Sequence, residues 1–293
     1  MRSLLIINPI SGQGKAAREK RKLLDYASAA AHMRTVITSG PDDAAETAQK
    51  AAHDGYDLII AAGGDGTINQ VINGIGDIGI PLGIVPLGTG NVLAHDLGIP
   101  IHNTEKALEI IRRGKTRRVD VAKTNTRRFI LMAGLGFDAA VIDSVSPKVK
   151  DVFGTMAYAP AIIEQLVKFT PARFRLTFND KSVYETEAYA VIAANCGTYA
   201  YNFKIARQAI FDDGLLDIMV FEAGALTAIN LVGQALDTIF QGTIAHPSTS
   251  YFRAAKVRVE SEPSVRMQLD GDLHGESGVD IEVVPKALSL IVP

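Results

Sequence analysis

Three short apolar runs punctuate the first third of the chain: Leu4-Leu5-Ile6-Ile7, Leu58-Ile59-Ile60-Ala61 and Leu82-Gly83-Ile84-Val85. Each is continuous rather than alternating and is too short for a helix, so each reads as a strand covered on both faces, as in a parallel sheet. The pattern predicts strands at Ser3–Asn8, Arg34–Thr38, Leu58–Ala62 and Leu82–Pro86. Helices are predicted between and after them, at Ala16–Ala31, Asp42–His53, Thr67–Gly74 and Thr104–Arg113. Pro41-Asp42-Asp43 and Ile101-His102-Asn103-Thr104 carry turn and N-cap chemistry. Strand and helix alternate, which is the signature of a doubly wound α/β domain.

After Lys115 the pattern changes. Strands are predicted at Arg117–Val121, Phe129–Ala133, Arg173–Phe178, Val183–Ala194, Leu216–Phe221, Tyr251–Val259, Val265–Leu269 and Val279–Val284, with helices near Gly154–Phe169 and Leu226–Phe240. Antiparallel β-structure follows from that density of strands. A domain boundary is expected near Val121–Arg127, giving one domain over 1–122 and a second over 123–286. The final strand, Leu288–Val292 within 287–293, is free to return to either domain.

Each apolar run of the first domain ends in a glycine-rich turn: Asn8-Pro9-Ile10-Ser11-Gly12-Gln13-Gly14, Ala62-Gly63-Gly64-Asp65-Gly66-Thr67 and Pro86-Leu87-Gly88-Thr89-Gly90-Asn91. A turn of this kind between a strand end and a helix start lets backbone N–H groups and the helix dipole face a phosphate. Gly63, Gly64 and Gly66 remove the Cβ atoms that would hold a phosphate away. One such turn is also simply a tight turn. Three at one sheet edge place a ligand there, because open α/β sheets bind at the carboxyl ends of their strands. The patterns G-x-x-x-x-G-K-[ST] and G-x-G-x-x-G are both absent. Asp65 sits among the glycines, and a carboxylate beside phosphates is repelled unless a metal or a substrate proton is involved. The loop therefore points to phosphoryl transfer rather than passive nucleotide binding.

Composition narrows the picture only a little. The chain of 293 residues is 47% hydrophobic and 21% charged, enough for a sizeable core and two domains. A formal charge of −2 gives no electrostatic case for a nucleic-acid partner. The single cysteine, Cys196, excludes an internal disulfide and a cysteine-rich zinc site, suits a reducing compartment, and reads as a packing residue before it reads as a nucleophile. No secretion signal is evident, because Leu4–Ile7 runs straight into the first loop. The uncharged stretch Ile78–His95 holds four glycines and two prolines and reads as strand plus loop, not as a membrane span. The basic clusters Arg18, Lys20, Arg21, Lys22 and Arg112, Arg113, Lys115, Arg117, Arg118 read as solvated helix faces and ends, or as aids to a bilayer surface.

The motif series resembles the soluble diacylglycerol-kinase-like lipid kinases, the superfamily that includes bacterial lipid kinases, sphingosine kinases and ceramide kinases. Beyond the three glycine turns it includes Leu97-Gly98-Ile99-Pro100, Val119-Asp120, Gly134-Leu135-Gly136-Phe137-Asp138-Ala139, Phe203-Lys204-Ile205-Ala206, Asp212-Asp213-Gly214-Leu215-Leu216-Asp217 and Leu269-Asp270-Gly271-Asp272. The resemblance covers nearly the whole chain. It implies an N-terminal three-layer α/β domain that binds nucleotide and a C-terminal antiparallel β-sandwich that takes the lipid, with ATP in the cleft between them and the last strand packing back onto the first domain. It further implies a cytoplasmic enzyme that visits the membrane surface without a transmembrane segment. One exposed β-edge would suffice for a homodimer.

The resemblance also assigns residues. The phosphate loop matches Gly63, Gly64, Asp65, Gly66, Thr67 and Asn69, and the other nucleotide contacts match Asn8, Thr38, Gly88, Thr89 and Asn91. From the residues alone, Thr38 reads equally as a strand-end residue. Mg²⁺ accompanying ATP is expected, since no lysine lies in the loop, with Asp65 holding that metal or orienting the acceptor hydroxyl. The family's general base lies in a D-G-E motif, and here the triplet is Asp270-Gly271-Asp272. Asp272 thus stands one methylene short of the usual glutamate, and the triplet also reads as a hairpin turn. A structural Mg²⁺ site in bacterial relatives, one aspartate and two backbone carbonyls, maps onto Asp213, Ile210 and Leu215. An oxygen-only donor set suits that ion, and Asp-Gly suits a plain β-turn as well.

Val92 is a second departure, because many relatives carry an aspartate after the residue matching Asn91. The leading expectation is phosphorylation of a hydroxyl on diacylglycerol or a related lipid. A catalytically weak nucleotide- or lipid-binding regulator is the alternative that the Asp272 and Val92 departures motivate. An NAD kinase, which shares the Gly-Gly-Asp-Gly loop, is the other alternative.

Overall fold

The computed structural model describes residues 1–144, 169–200, 203–223 and 249–293. The helices expected over Gly154–Phe169 and Leu226–Phe240 lie outside the described residues, Phe169 excepted. The chain divides into two compact units, Met1–Val121 with Pro285–Pro293, and Ala122–Val284.

The first unit alternates as its sequence does: β1 (Ser3–Ile7), α1 (Lys15–Ala29), β2 (Met33–Ile37), α2 (Asp43–His53), β3 (Leu58–Gly63), α3 (Asp65–Ile75), β4 (Leu82–Pro86), α4 (Val92–Asp96) and α5 (Thr104–Arg113). β5 (Thr116–Lys123) then carries the chain toward the second unit. The strands pair in the order β2-β1-β3-β4, all parallel, with Leu5 opposite both Thr35 and Ile60, and Ile60 opposite Gly83. β1, β3 and β4 are wholly buried, as continuous apolar runs require, whereas the edge strand β2 is half-exposed. Leu5, Ile7 and Ile60 form one apolar cluster with Leu23 of α1 and Leu108 and Ile111 of α5. α5 begins where the Asn103 side chain accepts the Lys106 N–H at 3.0 Å, and it ends on Gly114 at φ +67°. The strand order matters for function. From β1 the chain adds β2 on one side and then returns to place β3 on the other, so the carboxyl ends of β1 and β3 flank a topological switch point.

The second unit is antiparallel throughout its pairings. Its elements are β6 (Arg128–Phe129), β7 (Met132–Gly136), α6 (Phe137–Ser144), β8 (Ala172–Phe178), β9 (Val183–Ala194), β10 (Thr198–Ala200), β11 (Phe203–Lys204), β12 (Leu216–Glu222), β13 (Thr249–Ala254), β14 (Lys256–Glu262), β15 (Arg266–Leu269) and β16 (Asp272–Glu276). β17 (Val279–Ile291) closes the chain. Its first residues pair with β14 and its far end reaches β4 at Leu290. β9 is the organiser. Its first half alternates exposed and half-buried residues beside β8, and its second half, buried nearly throughout, lies between β7 and β12. Phe129, Phe174, Leu176, Val191, Ile218 and Leu269 anchor the core.

Three strand boundaries differ from the sequence expectation. The run expected as Tyr251–Val259 is two strands, because β13 pairs with β12 while β14 pairs with β8 and β17, and the chain changes partners at Ala255. Phe129–Ala133 is also two strands, for the N–H groups of Ile130, Leu131 and Met132 are taken by the Asp270 carboxylate. Conversely, Val279–Val284 and Leu288–Val292 merge into β17. The kink at Lys286, φ +51°, is held by its N–H donating to Asp120 Oδ1 at 2.7 Å.

Candidate functional site

In the first unit the three glycine turns meet at the carboxyl edge of the sheet, and they meet backbone to backbone. A Cβ on Gly12, which has φ +64°, would stand 1.9 Å from the Leu87 carbonyl oxygen. A Cβ on Gly88 would stand 2.4 Å from Gly64 Cα. Side chains cannot enter these contacts, which is why the sequence places glycine on them. Asn8, just past β1, donates from Nδ2 to Thr67 Oγ1 at 2.9 Å and so spans the switch point. Thr38, at the end of β2, is buried, and its N–H and hydroxyl both donate to the Ile7 carbonyl. Asn91 clasps Gly88 in both directions, accepting its N–H at 2.8 Å and donating to its carbonyl at 2.7 Å. Thr89, between them, is exposed.

α3 starts on Gly64 with no side-chain cap, leaving its first N–H groups without intrahelical acceptors. A Cβ on Gly66 would meet nothing within 4 Å, so that face of the first turn is open. An uncapped helix start behind an open glycine face is what an anion needs. Asn69 contributes differently from expectation. It is buried, and its Oδ1 and carbonyl accept the Asn73 amide within the helix.

Asp65 turns inward from the same loop. Its Oδ1 accepts the Leu93 N–H at 3.2 Å, and the N–H groups of Val92 and Asn91 also face its carboxylate. Asp65 therefore caps α4, joining the phosphate loop to the Thr89–Asn91 turn. Burial pushes its carboxyl up from the ordinary range, and those N–H groups pull part of the way back. Val92 is the buried first residue of this short helix. Lys15 fastens the far side of the turn, donating from Nζ to the Ile101 carbonyl at 2.6 Å and the Pro86 carbonyl at 3.4 Å. Burial lowers its pKa.

In the second unit Asp270-Gly271-Asp272 is indeed the turn between β15 and β16. Asp270 and Gly271 have φ +50° and +89°, and Leu269 faces Asp272. The Asp270 carboxylate accepts the N–H groups of Ile130, Leu131 and Met132 at 2.8–3.0 Å. The Asp272 carboxylate is half-exposed and pairs with Arg127 at 3.0 Å. His274, two residues along β16, shares a 2.8 Å hydrogen bond between Nε2 and Thr126 Oγ1. Its pKa lies below the ordinary value, first because it is partly buried and then because Arg127 is near.

This geometry coincides with two family matches. Residues 2–124 match the diacylglycerol kinase catalytic domain, and residues 132–292 match the YegS C-terminal NAD kinase beta sandwich-like domain. The chain belongs to the diacylglycerol-kinase-like family. A diacylglycerol kinase of Staphylococcus aureus (strain MRSA252) is 29% identical over 296 residues, spanning 100% of this chain and 92% of its own. An uncharacterized protein of Synechocystis sp. is 32% identical over 311 residues, spanning 99% of this chain and 70% of its own. The crystal structure of a diacylglycerol kinase from Bacillus anthracis str. Sterne superposes with a TM-score of 0.78 at 26% identity, covering 100% of this chain and 97% of that one. An NAD kinase from Archaeoglobus fulgidus in complex with ATP shares the fold, with a TM-score of 0.52 at 13% identity over 99% of this chain and 93% of that one. The doubly wound α/β domain followed by a β-sandwich, expected from the motif series, is the family's architecture and is the one observed.

The diacylglycerol-kinase-like family implies a cation near Asp213. Asp213 Oδ1 accepts the Leu215 N–H at 3.0 Å, and Oδ2 pairs with Arg253. Arg253 Nε also lies 3.5 Å from the buried Asp217, whose Oδ1 accepts the Tyr251 hydroxyl. Asp217 Oδ2 is buried with no hydrogen-bond donor among the described residues, and burial pushes that carboxyl up. Two carboxylates share one guanidinium and one oxygen lacks a donor, so the cluster has room for further positive charge. In that sense Asp213 and the main-chain carbonyls of Ile210 and Leu215 fit a hard divalent ion. No group of three or more His, Cys, Asp or Glu side chains gathers among the described residues, so a side-chain-only site of that kind is not present there. No helix among them is long and apolar enough to cross a membrane.

Sequence reasoning missed Arg127, which reaches Asp272 only through pairing of the chain, and His274, which lies in no motif and bonds Thr126 beside Arg127. It also missed the role of Lys15, whose signal was a lone lysine directly after Gly14.

Proposed function

We propose that the chain is an ATP-dependent lipid kinase that moves the γ-phosphoryl group of Mg·ATP to a hydroxyl of diacylglycerol or a related lipid. The observation that carries this reading is the switch-point edge between β1 and β3, where backbone-packed glycine turns leave an uncapped helix start open to an anion. The family match and the S. aureus relative named a diacylglycerol kinase supply the substrate class. In this reading residues 1–122, with 287–293, form the kinase domain and 123–286 the lipid-substrate domain.

In this reading the roles are divided as follows. N–H groups of Gly66 and Thr67 bind phosphate oxygens, with Gly63 and Gly64 letting them approach. Asn8, Thr38, Gly88, Thr89 and Asn91 shape the nucleotide's seat, and Asn69 supports α3 from inside. Asp65 sets the Thr89–Asn91 turn against the phosphate loop. In the transfer the bond from γ-phosphorus to the bridging oxygen breaks and ADP leaves with that oxygen. A bond forms from phosphorus to the lipid hydroxyl oxygen, and the hydroxyl proton passes to the Asp272 carboxylate. Mg²⁺ supplied with ATP offsets phosphate charge. A second ion held by Asp213, Ile210 and Leu215 would brace the second unit. The lipid meets the enzyme at the membrane surface.

The regulator reading has its own support: Asp272 is held by Arg127, and the side chain of Val92 can offer an acceptor hydroxyl no hydrogen bond. One experiment separates these. Labelled γ-phosphate is offered from Mg·ATP to mixed micelles of diacylglycerol, monoacylglycerol, phosphatidylglycerol, ceramide, sphingosine or a polyprenol, with NAD in parallel and Asp65→Ala as control. A labelled lipid that vanishes in the variant is the expected outcome. ATP binding without any labelled lipid favours the regulator, and labelled NAD overturns the lipid assignment.

A further inference from the structure

Asp138 opens α6, is only 6% exposed, and takes no part in the roles above. Beside it lies Gln268 of β15, 2% exposed. Gln268 Nε2 donates to Asp138 Oδ2 at 2.7 Å, and Gln268 Oε1 accepts the Gly271 N–H at 2.7 Å. Gly134 faces Gln268 across the β7–β15 pairing. A Cβ there would stand 1.7 Å from Asp138 Oδ2 and 2.8 Å from Gln268 Nε2, so the missing side chain makes room for the pair.

The polarity of this chain of bonds is determined. A carboxylate only accepts, so Asp138 draws the amide nitrogen of Gln268 toward itself. The amide oxygen then faces Gly271, where the backbone offers a donor. Were the amide reversed, its oxygen would meet a carboxylate and its nitrogen would meet an N–H. Gly271 is the centre of the turn that ends in Asp272, and Asp270 fixes the other side of that turn through Ile130, Leu131 and Met132. The turn is thus held at two points, and the Gly271 point depends through Gln268 on a buried carboxyl 133 positions earlier in the chain.

We infer that Asp138 and Gln268 are positioning residues that orient the Asp270-Gly271-Asp272 turn and, through it, the Asp272 carboxylate. The inference rests on the reading of Asp272 as the proton acceptor. It gives Asp138 a role in turnover without contact to either substrate.

The test is a polarity swap. Asp138→Asn keeps one acceptor oxygen but loses the charge and adds a competing donor, so the hold on the Gln268 amide weakens. Gln268→Glu sets two buried carboxylates against each other. The double variant Asp138→Asn/Gln268→Glu restores the pattern, with the asparagine donating to one glutamate oxygen and the other accepting the Gly271 N–H. Turnover is measured with Mg·ATP and diacylglycerol mixed micelles, beside Asp272→Ala and thermal midpoints for all variants. Each single variant is expected to lose about 10- to 100-fold in kcat, on the scale of an ångström's misplacement, with the KM for ATP within about 2-fold. The double variant is expected to recover to within about 5-fold of the parent. Single variants at parental kcat, or a double variant no better than the singles, overturn the inference while leaving Asp272 in place. Parental activity in Asp272→Ala removes the proton-acceptor reading and the inference with it. If the parent labels no lipid, exchange of the Gly271 amide proton decides. Faster exchange in both singles, restored in the double, supports the positioning, and unchanged exchange overturns it.

Discussion

The glycine-turn edge of the first unit and the acidic turn of the second are built on opposite principles. At the edge, precision comes from removing side chains: Gly12 against Leu87 and Gly64 against Gly88 let main chains touch, and the groups left open are backbone N–H groups of an uncapped helix start. At the turn, precision comes from adding side chains: Asp270 and Gln268 hold the backbone on either side, Asp138 holds Gln268, and Arg127 pairs with Asp272. A backbone edge tolerates no new atoms but has few charges to lose. A side-chain network tolerates shape changes but fails when one donor or acceptor is exchanged. Asp65 is the exception in the first unit, a partly buried carboxylate on which the geometry of two glycine turns depends.

The largest effect should therefore come from Asp65. Its folded-state pKa is raised, so it binds a proton more readily when folded than unfolded. Stability from this group is full below the unfolded pKa and is lost as pH rises through the folded one. At neutral pH the buried charge is a liability. Asp65→Asn keeps an oxygen for the Leu93 N–H and removes that liability, so the thermal midpoint at pH 7 should hold or rise. Phosphoryl transfer should nevertheless fall by about 100-fold or more, because the placement of the Thr89–Asn91 turn changes. A midpoint that drops sharply at pH 7 would show the carboxylate to be a net stabiliser and would break the contrast drawn above.

Glycine substitutions sharpen the same contrast. Gly12→Ala places a Cβ on the Leu87 oxygen at φ +64°. Overpacking and left-handed strain together cost about 2–4 kcal/mol, lowering the thermal midpoint by roughly 5–12 °C. Gly66→Ala should do the reverse to the fold. Its Cβ meets open space in a helix, so stability should rise by about 0.5–1 kcal/mol. ATP affinity should fall, since the methyl stands where the phosphate approaches. Calorimetric titration with ATP beside melting curves checks both, and a Gly66→Ala protein that binds ATP like the parent would show that the phosphate lies elsewhere.

The two principles also explain what the sequence disclosed. Glycine spacing after apolar runs is a local pattern, so Gly63–Thr67 and Gly88–Asn91 were legible as turns gathered at one sheet edge, and the buried strands Leu58–Gly63 and Leu82–Pro86 stand within a residue of expectation. The capping role of Asp65 was not legible, because its partner helix Val92–Asp96 has five residues and no periodicity to announce it. Around Asp272 the partners are scattered from Arg127 to His274, and only pairing of the chain brings them together. No strand was expected at Asp272–Glu276, which is polar, glycine-containing and mostly exposed at the end of the pairing order.

Around Asp213 the effect should be smaller. If a divalent ion joins Asp213 and the carbonyls of Ile210 and Leu215, magnesium at about 100 times its Kd stabilises the protein by about 2.7 kcal/mol. The thermal midpoint, read without nucleotide, should then rise between EDTA and saturating magnesium, and Asp213→Ala should flatten the response. A flat response in the parent would mean that Arg253 alone balances Asp213.

The smallest effect tests whether Arg127 and Asp272 act on a neighbour. His274 has a folded-state pKa below the ordinary 6.5, lowered first by burial, then by Arg127, and partly restored by Asp272. A histidine that is harder to protonate when folded contributes stability that is present above the unfolded pKa. That contribution declines as pH falls below about 6.5 toward the folded value. The sign is opposite to that of Asp65, so the two units should answer acid differently. Followed by NMR, the His274 ring should titrate below 6.5 in the parent. Arg127→Gln removes a cation and should raise that midpoint, whereas Asp272→Asn removes an anion and should lower it. Because Arg127 pairs with Asp272 at 3.0 Å, each substitution also frees the other's charge, and the two shifts should exceed what either group imposes while paired. A ring that titrates at 6.5 and ignores both changes would mean that Arg127 and Asp272 neutralise each other and present no net field to β16.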